Sequence, residues 1–483
     1  MVMRVLFLAK LVQDRAFHPY ALYVLSAACR NAGHVTDIVD ATSLDRVRRK
    51  IRDFRPDVLA VSTISARWPF FRELLAQLKK EFGLPGIVGG AHASVRPGIV
   101  LEPGVDAACV MEGDQALAEF LDCLSGGRSF AEVPNLAVRD VSQPAGYRVN
   151  PLRPLIQDLD SLPFPHFELT DNYPPSQNMP VRIMMTSRGC LFACAACGQS
   201  GFRPLYPTAT PYRRRPSVRR VLEELTHIKE RYPVHFFAFF DDVFATNDGW
   251  ELEFAEEYGR RIGVPFSVHM VNGLVEPNTV AALKKAGLQW VGISLESGNQ
   301  RVLTEVLDRR YTIDEFVQSI RILNEAGVHN YVGNMLSLPG STLELDLETL
   351  EVNRRAKVGF ADSSIYIPMP GTKLGEYARA NKLFDIDRFD RGFHSTDPSL
   401  HEPVVLDVPH RPVVRRLQCL FEIAAENDWV HRHIRWLIRL PLFPLYLLIW
   451  KVHNALKKNN YLFGPARLTW RQKIMVAYYT LVY

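Results

Sequence analysis

Short apolar runs alternate with amphipathic segments along the first part of the chain. The segments between the runs repeat apolar residues every three or four positions, which is the spacing of a helix with one buried face. Largely apolar strands joined by such helices form parallel sheets with right-handed crossovers. The pattern therefore predicts a doubly wound, Rossmann-like α/β domain. Its strands are predicted at Arg4–Ala9, Val35–Asp40, Val58–Ser62, Ile87–Gly90 and Ala107–Met111, and its helices at Pro19–Asn31, Leu44–Phe54 and Trp68–Phe82.

The same alternation resumes in the second part of the chain. Repeated strand–helix units build a β/α barrel, in which functional residues lie at the carboxyl ends of the strands. The strands are predicted at Val181–Thr186, His235–Phe240, Phe266–Val271, Trp290–Leu295, Tyr331–Leu336 and Asp362–Pro368. The intervening helices are predicted at Val218–Arg231, Trp250–Arg261, Pro277–Ala286, Thr312–Ala326 and Glu344–Ala356.

The length of 483 residues fits two or three domains, because one domain usually takes about 100 to 200 residues. We predict the α/β domain over residues 1–140, a linker over 141–175, the barrel over 176–375 and a mostly helical C-terminal region over 376–483. Hydrophobic residues make up 47% of the chain and charged residues 23%. This composition excludes a disordered, collagen-like or coiled-coil protein.

Charge is unevenly distributed. The net charge is +5, but nine Lys or Arg and no acidic residue follow Asp428, so the first 428 residues sum to −4. We therefore expect no nucleic-acid partner for the body of the protein. The uncharged run Leu440–Trp450 is shorter than the roughly 20 residues that span a bilayer. With its basic flanks it favours either peripheral contact with an anionic membrane or a helical subdomain that packs on the barrel.

Two further features bear on location and on the C-terminal region. The chain begins with a predicted strand and no apolar leader, and its seven cysteines form a poor disulfide framework, so a reducing cytoplasm is expected. The segment Phe384–His410 is predicted to be a loop, either a surface linker or a cover for the functional site.

Three of the cysteines, Cys190, Cys194 and Cys197, follow the first barrel strand with C-x3-C-x2-C spacing. Three thiolates can hold three irons of a [4Fe-4S] cluster and leave the fourth iron open to a ligand. A structural zinc site normally has four protein ligands. Zinc is the alternative, with a fourth ligand from a distant histidine or from one of Cys29, Cys109, Cys123 and Cys419.

Small and polar residues follow the strands of the first domain, where doubly wound sheets bind ligands. Glycines at these turns let a bulky ligand approach the backbone. The alternative is that they only make turns and that the histidine is a solvated loop residue. The candidate ligand-binding residues are Ser62, Thr63, Gly89, Gly90, His92, Glu112 and Gly113.

The cysteine motif just after a first strand resembles the radical S-adenosylmethionine (SAM) superfamily. The preceding domain resembles the cobalamin-binding domain of that superfamily's cobalamin-dependent branch. Further motifs match in order from about residue 3 to 375: Pro19-Tyr20-Ala21-Leu22, Gly89-Gly90-Ala91-His92-Ala93, Glu112-Gly113-Asp114, Leu162-Pro163-Phe164-Pro165, Asp241-Asp242-Val243-Phe244, Glu296-Ser297-Gly298, Leu338-Pro339-Gly340 and Pro368-Met369-Pro370-Gly371-Thr372. The resemblance implies a partial (β/α)6 barrel with a [4Fe-4S] cluster, SAM and cobalamin as cofactors.

The chain departs from the family pattern at two points. Ala196 replaces the usual aromatic residue before the third cysteine, so one wall of the SAM pocket differs. The first domain lacks the D-x-H-x-x-G motif, so no histidine is expected to coordinate cobalt from below.

Carboxylates and hydroxyls at the barrel mouth are candidate SAM ligands, because SAM carries an ammonium group and a ribose diol. Asp241 or Asp242 is expected to accept from the ammonium, and Glu296 to reach the ribose, with Ser297 beside it. Helix or turn capping is the alternative for each. The run Arg213-Arg214-Arg215 is interpreted as a solvated loop, or else as a source of one anion-binding arginine.

The resemblance implies an enzyme that generates a 5′-deoxyadenosyl radical and modifies an unactivated carbon, with methylation favoured over cyclisation or rearrangement. A non-catalytic iron–sulfur or cobalamin protein for electron transfer or sensing is the alternative of another class. The expected partners are a small-molecule substrate, which the basic C-terminal region suggests is lipid-like, such as an isoprenoid or a tetrapyrrole ester, and an electron donor such as flavodoxin or ferredoxin.

Overall fold

The structure is a computed structural model that describes residues 1–11, 19–173, 179–384 and 406–463. Most of the predicted loop Phe384–His410 and the last part of the basic C-terminal region lie outside the described residues. The expectation that the loop covers the site therefore stays a prediction.

The first domain is built on a seven-stranded sheet with the order β2-β1-β3-β4-β5-β6-β7. The strands are β1 (Arg4–Ala9), β2 (Val35–Asp40), β3 (Val58–Ser62), β4 (Gly86–Gly89), β5 (Ala107–Cys109), β6 (Leu136–Arg139) and β7 (Tyr147–Val149). The helices are α1 (Tyr20–Asn31), α2 (Leu44–Phe54), α3 (Trp68–Phe82), α4 (Ala91–Val95) and α5 (Asp114–Ser125). Strands β1 to β5 pair in parallel, which confirms the predicted doubly wound domain.

Strands β6 and β7 differ from the sequence prediction. They extend the sheet by antiparallel pairing after β5, so the sheet continues to Val149, past the boundary predicted at residue 140. The side chains of β7 are only half-buried or exposed, which is why hydrophobic patterning does not reveal this strand.

The second domain is a sheet of six parallel strands in the order β13-β12-β11-β10-β9-β8. The strands are β8 (Val181–Met184), β9 (Phe236–Phe239), β10 (Phe266–His269), β11 (Leu288–Glu296), β12 (His329–Leu336) and β13 (Phe360–Ile365). The helices are α6 (Gln199–Phe202), α7 (Val218–Arg231), α8 (Trp250–Arg261), α9 (Pro277–Ala286), α10 (Ile313–Glu325), α11 (Leu343–Ala356) and α12 (Lys373–Ala380). Each strand pairs with the next along the chain, as in a partial barrel, and all carboxyl ends lie at one edge.

The two domains share a core rather than being joined by a loose linker. One buried cluster contains residues from β1 and α1 together with residues from β9, β10 and α7. Phe167 of the connecting segment packs edge-on against Tyr23 of α1, with ring centroids 5.5 Å apart. The Tyr23 hydroxyl also bonds Thr170 at 2.8 Å. This packing fixes how the strand ends of the two sheets face each other.

Three helices form the described C-terminal region, as predicted: α13 (Arg411–Glu426), α14 (Asp428–Leu437) and α15 (Phe443–Phe463). Helix α13 packs against β13, where Gln418 donates a hydrogen bond to the Ser363 carbonyl at 3.1 Å. Among the described residues, no helix has the length and apolar character needed to cross a membrane.

Candidate functional site

A cavity of about 440 Å³ lies between the two domains. One wall consists of the carboxyl ends of β3 and β4 and the turn between β5 and α5, and a second wall consists of the segments that follow β8 and β9. Five of the predicted cobalamin residues and one of the predicted SAM residues line it. They are Ser62, Gly89, Gly90, Glu112 and Gly113 on the first wall, and Asp242 on the second, next to Ser187, Arg188 and Gly189.

Gly90 allows the end of β4 to approach β3 closely. Its φ is +90°, and a Cβ there would lie 2.7 Å from both the backbone nitrogen and the carbonyl oxygen of Thr63. Only glycine fits this position without moving the backbone. The result is a stretch of cavity wall made of main chain and small side chains, which leaves room for a bulky ligand.

His92 and Thr63 are not among the residues that line this cavity, and their contact with cobalamin stays a prediction. The His92 ring stacks on Trp68 with centroids 5.3 Å apart and bonds the Ser65 hydroxyl at 3.0 Å. Burial lowers the pKa of His92 to about 4, so the ring is neutral. Thr63 is buried, and its hydroxyl donates to the Ile64 carbonyl. Both residues support the wall from behind.

The three cysteines occupy a tight loop after β8. Cys190 and Cys194 are buried, whereas Cys197 is exposed, and none forms a disulfide. The backbone amide of Phe192 donates to Cys190 Sγ at 3.4 Å. Burial raises the pKa of Cys190 to about 11. Cys190 is therefore a neutral thiol near pH 7 when no metal is bound, and iron would favour the thiolate.

The loop is fixed at several points around the cysteines. Gly189 has a φ of +80°, and a Cβ there would lie 2.3 Å from the Tyr212 carbonyl oxygen. Ala195 donates its amide to the Leu307 carbonyl and accepts from the amide of Leu374, both at 2.9 Å. The Arg203 guanidinium donates to the Cys190 carbonyl at 3.0 Å. The protein thus shapes the loop through its own main chain.

The three cysteine sulfurs are not arranged as a preformed zinc site. Within the described ranges, three potential metal ligands come within 4.8 Å of one another at Glu422, Glu426 and His453, but not at the three cysteines. Tetrahedral zinc with Zn–S bonds of about 2.3 Å requires sulfurs about 3.8 Å apart. At the glutamate group, Lys457 forms ion pairs with both carboxylates, so a side-chain cation already lies there.

The two neighbouring aspartates after β9 have different surroundings. Asp241 is buried and accepts hydrogen bonds from the Thr186 amide at 2.8 Å and from the Ser187 hydroxyl at 2.5 Å. Asp242 lies on the cavity wall and accepts from the Gln199 amide group at 2.7 Å. The described bonds of Asp241 thus hold the strand that leads to the cysteines, and its contact with SAM stays a prediction, as does that of Asp242.

Glu296 ends β11 in a left-handed conformation, with a φ of +64°. It forms an ion pair with Arg309 at 2.5 Å, and burial raises the pKa of Glu296. Ser297 accepts locally from the Asn299 amide at 3.3 Å, which matches the capping alternative. The contacts of both residues with SAM stay predictions.

Arg309 is a site residue that sequence reasoning missed. Besides pairing with Glu296, it interacts electrostatically with Cys194 and Cys197, which places a buried positive charge beside the cysteine loop. Its Nε is buried without a hydrogen-bond partner among the described residues. Nothing in the local sequence distinguishes it from the adjacent Arg310.

The arginine run 213–215 is not a solvated loop, so that interpretation is wrong. Arg213 donates to the Val243 carbonyl at 2.9 Å. Arg214 pairs with Glu112 at 2.9 Å and Arg215 with Glu251 at 3.3 Å. The side chains of Arg214 and Arg215 are only 5% and 9% exposed. Their acidic partners are distant in sequence, so the run looks unpaired until the chain is folded.

The inner face of the partial barrel carries aromatic and polar side chains. Val291 and Ile293 of β11 pack under the helices, so the alternating residue Gly292 faces inward. A Cβ at Gly292 would lie 2.0 Å from the His269 ring. Burial lowers the pKa of His269 to about 4, so this ring is neutral. The Tyr331 hydroxyl donates to Asp362 on the neighbouring strand.

Comparison with protein families agrees with this architecture. The family model of the radical SAM superfamily matches residues 184–352, and that of the B12 binding domain matches residues 9–121. The chain therefore contains a radical SAM domain preceded by a B12 binding domain. With its N-terminal B12 binding domain, it is a cobalamin-dependent radical SAM enzyme, as predicted.

Named relatives share this arrangement over most of the chain. An uncharacterized methyltransferase of Pyrococcus horikoshii is 27% identical over 378 residues, which are 76% of this chain and 79% of that protein. The anaerobic magnesium-protoporphyrin IX monomethyl ester cyclase of Cereibacter sphaeroides is 26% identical, over 76% of this chain and 61% of that protein.

Two solved structures share the fold. The radical SAM methyltransferase TsrM from Kitasatospora setae, with cobalamin and a [4Fe-4S] cluster bound, superposes with a TM-score of 0.64 at 17% identity, over 79% of this chain and 75% of that chain. The cobalamin-dependent radical enzyme OxsB gives 0.66 at 15% identity, over 99% and 75%. The cofactors of this class are a [4Fe-4S] cluster, SAM and cobalamin. The cysteine loop and the glycine-lined cavity wall fit the cluster and cobalamin.

Proposed function

We propose that the protein methylates an unactivated carbon of a small-molecule substrate. The observation that supports this most directly is a cavity lined on one side by the strand ends of the B12 binding domain and on the other by residues that flank the cysteines in sequence, among them Gly189 and Gln199. In that arrangement the cofactors supply a 5′-deoxyadenosyl radical, a methyl group and the electron that cleaves SAM. The relative from Pyrococcus horikoshii named as a methyltransferase supports the same reaction.

The residues of this chain provide position and electrostatics. Cys190, Cys194 and Cys197 hold the cluster, and Gly89, Gly90 and Gly113 leave room for the corrin. We assign the SAM ammonium to Asp242, whose carboxylate lies on the cavity wall. We assign the ribose to Glu296, which Arg309 holds in place.

The substrate is proposed to bind at the inner face of the barrel. His269, Tyr331 and Asp362 offer hydrogen bonds there, and Phe240 stands edge-on to His269 with ring centroids 5.0 Å apart. Flat aromatic walls with few polar groups suit a planar or lipid-like molecule. The likeness to a tetrapyrrole ester cyclase supports the alternative reaction, a ring closure on such a substrate.

The test uses anaerobically reconstituted protein with SAM, hydroxocobalamin and a low-potential reductant such as reduced flavodoxin or ferredoxin. Methyl transfer consumes one SAM as methyl donor and a second as radical source, so both S-adenosylhomocysteine and 5′-deoxyadenosine should form. Release of 5′-deoxyadenosine with no S-adenosylhomocysteine, with and without cobalamin, would contradict methylation and favour the cyclase alternative. A Cys194→Ala variant serves as the control for cluster-dependent cleavage.

We also propose that the protein works in the cytoplasm and docks at an anionic membrane surface through its C-terminal helices. Helix α15 exposes apolar side chains at helical spacing, among them Leu445, Leu448, Val452 and Leu456. Trp429 and Trp436 of α14 are also more than half exposed. Some of the basic charge is neutralised, because Arg435 pairs with Glu344 and Lys457 with Glu422. The exposed apolar face of α15 therefore supports membrane docking more strongly than the net charge of the region does.

Membrane docking is tested by flotation with vesicles of phosphatidylglycerol and phosphatidylcholine at low and high salt. The variant Leu448→Gln/Leu456→Gln removes exposed apolar contacts and leaves the buried residues Ile434, Ile438 and Tyr446 intact. The control is Leu252→Gln, an exposed leucine on α8. The intact protein and the control should float at low salt, and the double variant should not. If the intact protein stays in the soluble fraction, docking is refuted, and the preference for a lipid-like substrate loses its basis.

A further inference from the structure

Four charged residues join the cobalamin side of the cavity to the cysteine loop. The Arg188 guanidinium donates to both carboxylate oxygens of Asp114, at 2.8 and 2.9 Å. Arg214 pairs with Glu112 at 2.9 Å, and Arg188 also approaches Glu112 at 3.4 Å. We call Arg188, Arg214, Glu112 and Asp114 the charge bridge. The charge bridge joins the two domains: Arg188 and Asp114, which are in contact, are 74 residues apart in the sequence.

The residues of the charge bridge are adjacent in sequence to residues of both proposed cofactor sites. On one side, Glu112 and Asp114 flank Gly113 in the turn that lines the cavity and starts α5. On the other side, Arg188 lies two residues before Cys190. Arg188 and Arg214 also exchange two backbone hydrogen bonds, at 2.8 and 2.9 Å. A shift of the turn is therefore transmitted directly to the start of the cysteine loop.

Burial makes this connection strong. The side chains of Asp114 and Arg214 are 7% and 5% exposed, and the bridge contains two acids and two arginines, so its charges balance. Bidentate pairing of a guanidinium with a carboxylate fixes orientation as well as distance. A second ion pair between the same domains, Arg96 with Glu376 at 3.3 Å, is more exposed and involves no residue of the cysteine loop.

We propose that the charge bridge couples the two cofactor sites, so that cobalamin bound against the 112–114 turn and SAM bound at the cysteine loop each strengthen the binding of the other. The physical reason is that the bridge ties the order of the turn to the order of the loop. A ligand that orders one lowers the conformational cost of ordering the other. Arg188 is then a positioning residue, and the coupling must be reciprocal. The inference rests on the cofactors of the class and not on the methyl transfer proposed above.

The test measures binding without turnover. SAM is titrated by equilibrium dialysis into protein whose cluster is kept oxidised, with and without saturating hydroxocobalamin. Hydroxocobalamin is titrated in turn by absorbance, with and without SAM. In the wild-type protein each ligand should lower the Kd of the other by the same factor, on the order of fivefold or more. A factor of one would overturn the proposal, whether or not the enzyme methylates a substrate.

Three variants separate coupling from folding. Asp114→Asn keeps the size of the side chain but removes the charge. Arg188→Lys keeps the charge but removes the guanidinium that pairs with both carboxylate oxygens of Asp114. Both should bring the coupling factor close to one while each ligand still binds alone. Arg96→Ala removes the ion pair with Glu376, which also joins the two domains, and should keep the wild-type factor. Persistence of the full factor in either bridge variant, or its loss in the control, would contradict the proposal.

Cobalamin should also change the paramagnetic resonance spectrum of the reduced cluster in the wild-type protein, and this change should vanish in the bridge variants.

Discussion

The carboxylate of Asp241 accepts hydrogen bonds from both the backbone amide and the hydroxyl of Thr186, at 2.8 and 3.1 Å. The Ser187 hydroxyl donates to the same carboxylate. Asp241 is buried at the end of β9, and Thr186 follows β8, so the contact ties two neighbouring strands where the cysteine segment begins. The geometry of the cysteine loop thus depends on Asp241, which is far from the cysteines in sequence.

Replacing Asp241 by alanine should destabilise the protein and lower its iron content. The change leaves the Thr186 amide and the Ser187 hydroxyl buried without an acceptor, which costs about 1–3 kcal/mol for each group. Asp241→Asn keeps one acceptor oxygen and should be milder. Thermal unfolding and iron analysis after reconstitution measure both effects. Asp242→Asn is the matched control, because the Asp242 carboxylate lies at the cavity surface and accepts a hydrogen bond from the Gln199 side chain instead of from the segment that leads to the cysteines. Equal losses in Asp241→Ala and in the control would contradict this role.

The three cysteines of the loop should each be required for the cluster. Cys190→Ala, Cys194→Ala or Cys197→Ala should abolish SAM cleavage and remove the cluster absorbance. The three thiolates bind three irons and leave the fourth iron for SAM, so the loss of any one thiolate leaves a second iron without a protein ligand. Cys123→Ala is the control, since Cys123 is a buried free cysteine of α5 outside the loop. Full iron and 5′-deoxyadenosine formation in the Cys194 variant would refute the assignment.

Gly90→Ala should weaken cobalamin binding by an order of magnitude or more. The added Cβ would lie 2.7 Å from the backbone of Thr63, so the end of β4 must move away from β3 and distort the cavity wall. Gly83→Ala is the matched control, because Gly83 also has a positive φ, +70°, but no atom lies within 4 Å of the added Cβ. Absorbance titration with hydroxocobalamin gives the Kd of each. Similar Kd values for the two variants would show that backbone strain and not the wall is responsible.

Bound cobalamin should have no histidine as its lower ligand. His92 is the predicted cavity histidine, but its ring is stacked on Trp68 and bonded to Ser65. The reduced cobalt form should therefore show no nitrogen superhyperfine splitting from the protein in its paramagnetic resonance spectrum. His92→Gln should leave that spectrum unchanged. Splitting that disappears in the variant would restore His92 as a ligand.

Local pattern was enough to predict the strands that face hydrophobic layers on both sides. Strand β1, for example, is an apolar run followed by an amphipathic helix, and β11 is an apolar run between two helices; the structure confirms both strands. The short strand β7 escaped because Tyr147–Val149 is half-exposed and takes its place through pairing with β6. Pairing of this kind depends on a partner strand, which a single segment does not encode.

The candidate site was predictable where the functional residues form a contiguous motif in the sequence. It was less predictable where residues distant in sequence are in contact. The cysteine triplet and the glycines around Gly90 are contiguous motifs. Arg309 and Arg188 gain their roles from Glu296 and Asp114, which no local pattern connects to them. The same limit applies to His92: its motif suggested a ligand, whereas the fold stacks its ring on Trp68, a contact that no local pattern predicts.

The last prediction concerns pH and Glu224, which lies in α7 at the contact between the domains. The Tyr20 hydroxyl of α1 donates to Glu224 at 3.3 Å, and the Arg220 guanidinium donates to it at 3.1 Å. Burial raises the pKa of Glu224 to about 7, despite Arg220. Since the folded pKa lies above the ordinary value of 4.5, this group favours the folded state fully below pH 4.5, and the benefit is lost as pH rises through 7.

The stability of the wild-type protein should therefore fall between pH 5.5 and 8 more steeply than that of Glu224→Gln, which is neutral throughout. The difference between the two should reach about 1–3 kcal/mol at the alkaline end. Thermal unfolding at fixed salt measures it. Glu223→Gln is the control, because the Glu223 side chain is exposed and forms an ion pair with Arg219 on the helix surface. Asp241, whose pKa burial raises to about 6, contributes a slope of the same sign in every variant and so cancels in the comparison. Parallel pH profiles for wild type and Glu224→Gln would show that the carboxyl between the domains remains ionised, and that the contact with Tyr20 is held by charge.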